Sequence, residues 1–244
     1  MSGTIRLYVE QGLGEGQTLP LERAQAHYLF GVMRLGVGAE LLLFNGQDGE
    51  WRAEVIEAGK RGGVLACVAR SRPQDMPPDL WLLFAPVKKA RTDFIVEKAV
   101  ELGARRILPV QTRFTNSERI RPDKQRAHAI EAAEQCGATY VPEVAELQKL
   151  DRLLDGWDAD RVLWFCDEKA DLKNFMTNAV TDPERGAPAA ILIGPEGGFS
   201  DEERARLHAL PFSRTLSLGP RILRAETAVV AALTLWQASH GDWS

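Results

Sequence analysis

The sequence predicts an α/β protein in two parts: a small β-barrel or sandwich, then a mostly parallel sheet with helices on both faces. Three observations carry this. As far as Ala69 the chain is made of short apolar or alternating runs separated by glycine turns. After Leu80 the rhythm changes to alternating strand and helix, the pattern of a covered parallel sheet. In the last third, two strands each run into a glycine loop and then into a helix.

Taken in order, Thr4 to Glu10 alternates Ile5, Leu7 and Val9, a strand with one buried face. Leu21 to Leu35 reads as a helix, with Tyr28 and Met33 expected in its core face. Leu41 to Phe44 and Trp51 to Ile56 read as strands around an Asn45–Gly49 turn, and Val64 to Ala69 as the next. Ser71 to Asp79 is a proline-rich linker, so the expected domains are residues 1–72 and 80–244 with residues 73–79 between them. Leu80 to Ala85 then starts the second pattern. Thr92 to Leu102 reads as a helix closed by Gly103, with Glu101 as an i, i+3 partner for Lys98. Ile107 to Val110 is a strand, Pro122 to Cys136 a helix with proline in its first turn, Val162 to Phe165 a strand and Leu172 to Ala179 a helix.

The last third is the most informative. Ala189 to Ile193 is a short apolar, β-branched run, a buried strand. Gly194-Pro195-Glu196-Gly197-Gly198 forces a tight turn, and Ser200 with Glu203 makes a capping box that starts a helix. Arg214 to Leu218 is a second strand, Gly219-Pro220-Arg221 a second turn, and Ala225 to Ser239 a helix of small residues. Glycines alone need only shape a turn. Two such loops on consecutive strand ends favour a ligand, because ligands of open α/β sheets sit outside the carboxyl ends of the strands.

Composition bounds the rest. At 244 residues, 45% hydrophobic and 26% charged, this is an ordinary globular chain. No apolar run approaches the roughly 20 residues of a membrane span, and Met1 to Arg6 carries no signal-peptide apolar core. Cys67, Cys136 and Cys166 form no C-x-x-C, so neither a disulfide framework nor a zinc site is indicated, and no metal is expected. They read as buried small hydrophobes in a reducing cytoplasm. The net charge of −4 argues against binding nucleic acid by bulk charge. Between Arg105 and Arg126, however, positive residues exceed negative ones by five, which fits either a solvated face or docking on a structured RNA.

The glycine loop is neither a G-x-x-x-x-G-K-[ST] phosphate cradle nor G-x-G-x-x-G near a first strand. Glu196 inside it would repel a polyphosphate and would suit a ribose hydroxyl, an amine or a cation. S-adenosylmethionine carries all three. G-x-S-x-G is absent and the four histidines sit in no catalytic pattern, which argues against a hydrolase.

The run Leu192 to Ser200, followed by Leu218-Gly219-Pro220-Arg221-Ile222-Leu223-Arg224-Ala225-Glu226-Thr227-Ala228, resembles the RsmE family, bacterial 16S rRNA uridine N3-methyltransferases of the SPOUT superfamily. The resemblance extends over the whole chain. It implies a PUA-like RNA-binding barrel, then a trefoil-knotted SPOUT-type α/β domain holding S-adenosylmethionine among these loops. It implies methylation of N3 of one uridine, uracil 1498 of 16S rRNA in the 30S subunit, and a homodimer whose surface, or core, includes Leu233 and Trp236. Cofactor contacts are expected at Leu192, Ile193, Gly194, Pro195, Glu196, Gly197, Gly198, Leu218, Gly219, Arg221, Ile222, Leu223 and Thr227. Arg34, Lys88, Arg91 and Arg113 are the expected RNA contacts, while His27 reads equally as an RNA contact or a core histidine. Ala133-Glu134-Gln135-Cys136-Gly137 matches a further signature, which the family usually continues with arginine and this chain continues with Ala138.

Uracil N3 carries a proton at neutral pH, so the site must remove it or stabilise the developing anion. Arg224 is the candidate for stabilising charge on the uracil oxygens, and its alternative is a surface ion pair. Glu226 is the candidate proton acceptor, and its alternative is an acid favoured in a helix first turn by the dipole. Two competing readings share these loops: a SPOUT methyltransferase for another RNA site, and an inactive PUA-type RNA-binding protein.

Overall fold

The structure, a computed structural model, describes residues 4–116, 120–170 and 186–243. The helix expected over Leu172 to Ala179 lies outside the described residues. The chain divides into two compact units: Met1–Met76 with Ala133–Val141, and Pro77–Ala132 with Pro142–Ser244.

The first unit is a curled five-stranded sheet. Strands β1 (Arg6–Tyr8), β2 (Thr18–Pro20), β3 (Glu40–Phe44), β4 (Glu50–Ala58) and β5 (Gly63–Arg72) are ordered β1-β3-β4-β5-β2. Only β1 and β3 pair in parallel. Alternation puts Leu7, Leu41, Leu43, Ala53, Val55 and Leu65 on the inner face, where Leu19 and Leu29 complete the core. The turn expected before β4 is an Asx turn, in which Asn45 Oδ1 accepts from the amides of Gln47 and Asp48 at 3.0 and 2.9 Å.

Glu50 is the buried carboxylate of this unit among the described residues. Glu50 accepts from Arg6 at 2.7 Å and from Arg72 at 2.9 Å. Burial pushes the Glu50 carboxyl up, but hydrogen bonds and charge from Arg72 and Arg6 outweigh it and hold it below its ordinary range. The same guanidiniums reach the segment after residue 132: Arg6 Nη2 donates to Ala138 O at 2.9 Å, and Arg72 Nη2 to Gly137 O at 2.7 Å.

The helix expected over Leu21 to Leu35 is shorter and differently wound. An α-helical turn, α1 (Arg23–Ala26), passes into a π-helical segment, His27–Val32. Residues five apart share a face of a π-helix, as the Met33 amide to Tyr28 carbonyl bond of 2.9 Å shows. Leu29 therefore points inward while Tyr28 and Met33 face out, at 38% and 41% exposed, which corrects the expectation that they are core. His27 is exposed too. Cys136 also departs from expectation: Cys67 and Cys166 are buried, whereas Cys136 ends its helix on the outside.

The second unit is a seven-stranded parallel sheet: β6 (Leu80–Phe84), β7 (Arg106–Gln111), β8 (Glu143–Val144), β9 (Gln148–Lys149), β10 (Val162–Cys166), β11 (Ala189–Ile193) and β12 (Ser213–Leu216). The order is β12-β10-β11-β6-β7-β8, with β9 on β7. Its helices among the described residues are α2 (Lys89–Glu101), α3 (Pro122–Cys136), whose last turn belongs to the first unit, α4 (Leu150–Asp155), α5 (Asp201–Ala209) and α6 (Ala225–His240). All five residues of β11 are buried, as a strand flanked by β10 and β6 requires.

The connections place the site. From β11 the chain passes through α5 and over to β12, on the far side of β10, then returns through α6, which packs on β11 and α2. The loops after β10, β11 and β12 converge at the carboxyl ends of these strands. The capping box forms as expected: Ser200 Oγ accepts from the Glu203 amide at 3.2 Å, and Glu203 Oε2 accepts from the Ser200 amide at 2.9 Å. Helix α6 is anchored by buried Gln237, whose Nε2 donates to Leu102 O at 2.7 Å beside Gly103, where a Cβ would meet it at 2.6 Å. Leu233 and Trp236 are buried in this unit's own core.

Candidate active site

At the convergence of the three loops lies a cavity of about 210 Å³. Its walls are Ile193 to Gly198 after β11, Leu218, Gly219, Arg221, Ile222 and Leu223 after β12, and Cys166, Asp167 and Glu168 after β10. Leu216, Ala225 and Ala228 complete it.

The glycines have separate reasons. A Cβ on Gly194 would strike the Phe199 ring at 2.6 Å, and one on Gly197 would press on Phe114 Cβ at 3.1 Å. Gly198 combines a φ of +69° with a site where a Cβ would stand 2.5 Å from Glu168 Oε1. Its amide closes the turn on Pro195 O at 2.9 Å. So the loop is pressed close against protein on three sides, with its remaining side to the cavity.

The wall after β10 was not foreseen. Asp167 is 4% exposed and is held by an ion pair with Arg204, by His208 Nε2 at 3.2 Å and by the Lys169 amide at 2.9 Å. Glu168 pairs with Arg204 at 2.9 Å. Desolvation pulls the Arg204 guanidinium below its ordinary range. Burial pushes the Cys166 thiol in this wall up to about 12, which disfavours the reactive thiolate. The available signal was positional: Asp167 and Glu168 directly follow a buried strand, at its carboxyl end.

Most expected cofactor positions line the cavity, with two exceptions. Leu192 sits in β11 and packs into the hydrophobic core beneath it. Thr227 is exposed on the first turn of α6. Arg224 is the exposed N-cap of α6, without a side-chain cap bond and without an ion pair among the described residues. Glu226 lies in the first turn, its side chain only 17% exposed.

The grouping around Glu226 differs from a simple RNA surface. Arg91, from the first turn of α2, makes a close ion pair with Glu196 and places Nε 3.4 Å from Glu226 Oε1. The other Glu226 oxygen, Oε2, is buried and has no hydrogen-bond partner among the described residues. A buried ionised oxygen left unpaired is costly, so this is where a donor from outside the chain would be accepted. Lys88, the N-cap of α2, is exposed. Arg113 is exposed in the loop after β7, and its amide donates to Glu203 Oε1 at 2.7 Å. Arg34 is exposed in the first unit with a φ of +57°. The basic stretch around them is largely tied down: Arg105 donates to Pro77 O at 2.6 Å, and Arg106 pairs with Glu143 at 3.1 Å.

Fold and cavity together define an RNA methyltransferase with an appended PUA-type domain. The family described as "RNA methyltransferase domain" matches residues 74–237, and that described as "RNA methyltransferase PUA domain" matches residues 21–65. Among curated relatives, the ribosomal RNA small subunit methyltransferase E of Synechocystis is 31% identical over 221 residues, 88% of this chain and 71% of that protein. The protein of that name from Rickettsia conorii is 27% identical over 93% of both chains. A Legionella pneumophila protein solved in complex with the bound cofactor SAM is 30% identical, covering 98% of this chain and 99% of that one with a TM-score of 0.87. The chain belongs to the ribosomal RNA small subunit methyltransferase E family. The expected fold class holds as an α/β domain with a mostly parallel sheet preceded by a curled, PUA-like sheet.

Proposed function

We propose that this protein transfers a methyl group from S-adenosylmethionine to N3 of one uridine, uracil 1498, of 16S rRNA. The observation that carries the reading is the juxtaposition of a three-loop cavity with Glu226, a carboxylate oriented by Arg91 and keeping one buried oxygen free. The cavity suits this cofactor on chemical grounds. Its three acids, Asp167, Glu168 and Glu196, outnumber its one basic side chain, Arg221, and favour a ligand bearing an ammonium and a sulfonium. The backbone of Gly194 to Gly198 and of Leu218 to Leu223 would hold the adenosine. When bound, the cofactor supplies an activated methyl group.

The chain's own residues supply the rest. Glu226 Oε2 accepts the N3 proton, leaving a lone pair on nitrogen to take the methyl. Arg224, exposed at the N-cap of α6, offsets the charge that then develops on the uracil oxygens. Arg34, Lys88 and Arg113 contact RNA phosphates, and Arg91 serves the site instead. The working unit is a homodimer, whose surface lies outside Leu233 and Trp236 because the core takes both. The small ribosomal subunit is the substrate.

Transfer of labelled methyl from S-adenosylmethionine to small subunits lacking this modification, followed by mapping of the base, tests the reaction and target together. A single N3-methyluridine in 16S rRNA is expected. Label on another base would refute the target, and no label despite cofactor binding would refute the reaction.

A further inference from the structure

Phe114 is 43% exposed in the loop after β7 and stands beside the cavity wall: its Cβ lies 3.1 Å from where a Gly197 Cβ would stand. An exposed aromatic ring on a loose loop would be unremarkable. This loop is not loose. The Thr112 amide donates to Thr115 Oγ1 at 2.8 Å, the two threonine hydroxyls lie 2.9 Å apart, and the Thr115 amide returns to Thr112 O at 3.2 Å. Between them, the Arg113 amide donates to Glu203 Oε1 at 2.7 Å. Glu203 is the capping-box acid at the start of α5, so the turn that presents Phe114 is tied to the end of the cavity's glycine loop. The other exposed aromatics among this unit's described residues differ. Phe94 sits beneath Lys98 Nζ, 5.3 Å from its ring centroid, and Trp243 follows the last helix.

We propose that Phe114 is the stacking platform for the acceptor nucleobase, positioning its ring against the cofactor cavity. This rests on the RNA-methylating reading above. A base that is to be methylated at N3 must leave its pair and its stack, because N3 is inside the Watson–Crick face, and an extruded base needs a replacement face. A phenyl ring carried on a fixed backbone turn beside the cavity supplies one without hydrogen bonds of its own. It leaves the uracil edge free for Glu226 and Arg224. The small residue at 197 fits this arrangement: a Cβ there would press on Phe114 Cβ at 3.1 Å.

The test compares Phe114→Ala, Phe114→Leu and Phe114→Trp by steady-state methylation of unmodified small subunits, with cofactor affinity measured by calorimetry. Stacking predicts that Phe114→Ala and Phe114→Leu both lose about tenfold or more in kcat/KM, within the range known for base–aromatic contacts. Phe114→Trp is expected within about threefold of wild type, since every aromatic ring has a face to offer. Cofactor affinity should stay unchanged in all three. Full activity in Phe114→Leu would overturn the proposal, because leucine fills the space without a π face. A matching loss of cofactor affinity would also overturn it, by making Phe114 a packing residue under Gly197. Wild-type protein that transfers no methyl refutes the reaction itself, whereas wild-type transfer with an unaffected Phe114→Ala refutes the platform alone.

Discussion

Gly198→Ala should damage both stability and cofactor binding, and the structure separates the two. At a φ of +69° an alanine is strained by about 1–2 kcal/mol. Its methyl would also stand 2.5 Å from Glu168 Oε1, the atom that accepts from Arg204 at 2.9 Å. Displacing that carboxylate costs at most about 1 kcal/mol of a partly exposed pair. Together these lower Tm by about 2–4 °C per kcal/mol for a chain of this size. Because Glu168 also lines the cavity, S-adenosylmethionine should bind about tenfold more weakly, equivalent to about 1.4 kcal/mol. Gly46→Ala, in the Asx turn of the first unit and away from the cavity, is the control: its φ is +83° and nothing lies within 4 Å of the added Cβ, so strain is the whole effect. Calorimetry should show Tm falling in both variants and affinity falling mainly in Gly198→Ala. Wild-type affinity in Gly198→Ala, or an equal loss in both, would refute the assignment of Glu168 to the cofactor wall.

Glu226→Gln and Arg224→Ala should each cut methylation at least about tenfold, in the range of general acid–base and electrostatic terms, with cofactor affinity retained. Labelled-methyl kinetics beside calorimetry decides this. Arg91→Ala should reduce the rate at saturating RNA, with its salt dependence unchanged, since Arg91 holds Glu196 and Glu226. A phosphate contact would instead raise KM and lessen the salt dependence. Glu50, held below its ordinary range, contributes stability that is complete above its unfolded value of 4.5 and is lost as pH falls through the lower folded value. Glu50→Gln should therefore be less stable at pH 7, with a flatter acid limb in denaturant titrations from pH 7 to pH 3. In native protein a thiol reagent at pH 8 should label Cys136 and spare Cys166, as mass spectrometry of peptides would show.

The two loops of the last third were legible because glycine and proline leave the backbone few options, and because the capping box of Ser200 and Glu203 marks the helix start. Asp167 and Glu168 carry no such mark. They matter because β10 lies beside β11, a long-range pairing that no local pattern encodes. The π-helical winding from His27 to Val32 was equally hidden, since periodicity over so few residues does not separate 3.6 from a wider turn, and Tyr28 and Met33 were misplaced as a result. Arg91 read as one more basic residue near an RNA surface. Only the fold brings it against Glu196 and Glu226, residues more than a hundred positions away. The short strands β2, β8 and β9 hold two or three residues each, too few for alternation to register.

The carbonyls that receive Arg6 and Arg72 belong to residues 133–141, which enter the first unit only after much of the second has been threaded. During synthesis the barrel strands leave the ribosome long before their last acceptors exist. The buried charge of Glu50 must wait with its two arginines half satisfied until Ala138 emerges. A fragment ending in the proline-rich stretch after β5 would stay in that waiting state, and a peptide spanning residues 133–141 supplied in trans is the piece it lacks. The amino-terminal domain is therefore completed late, and the order of residues along the chain is not the order in which its parts can finish.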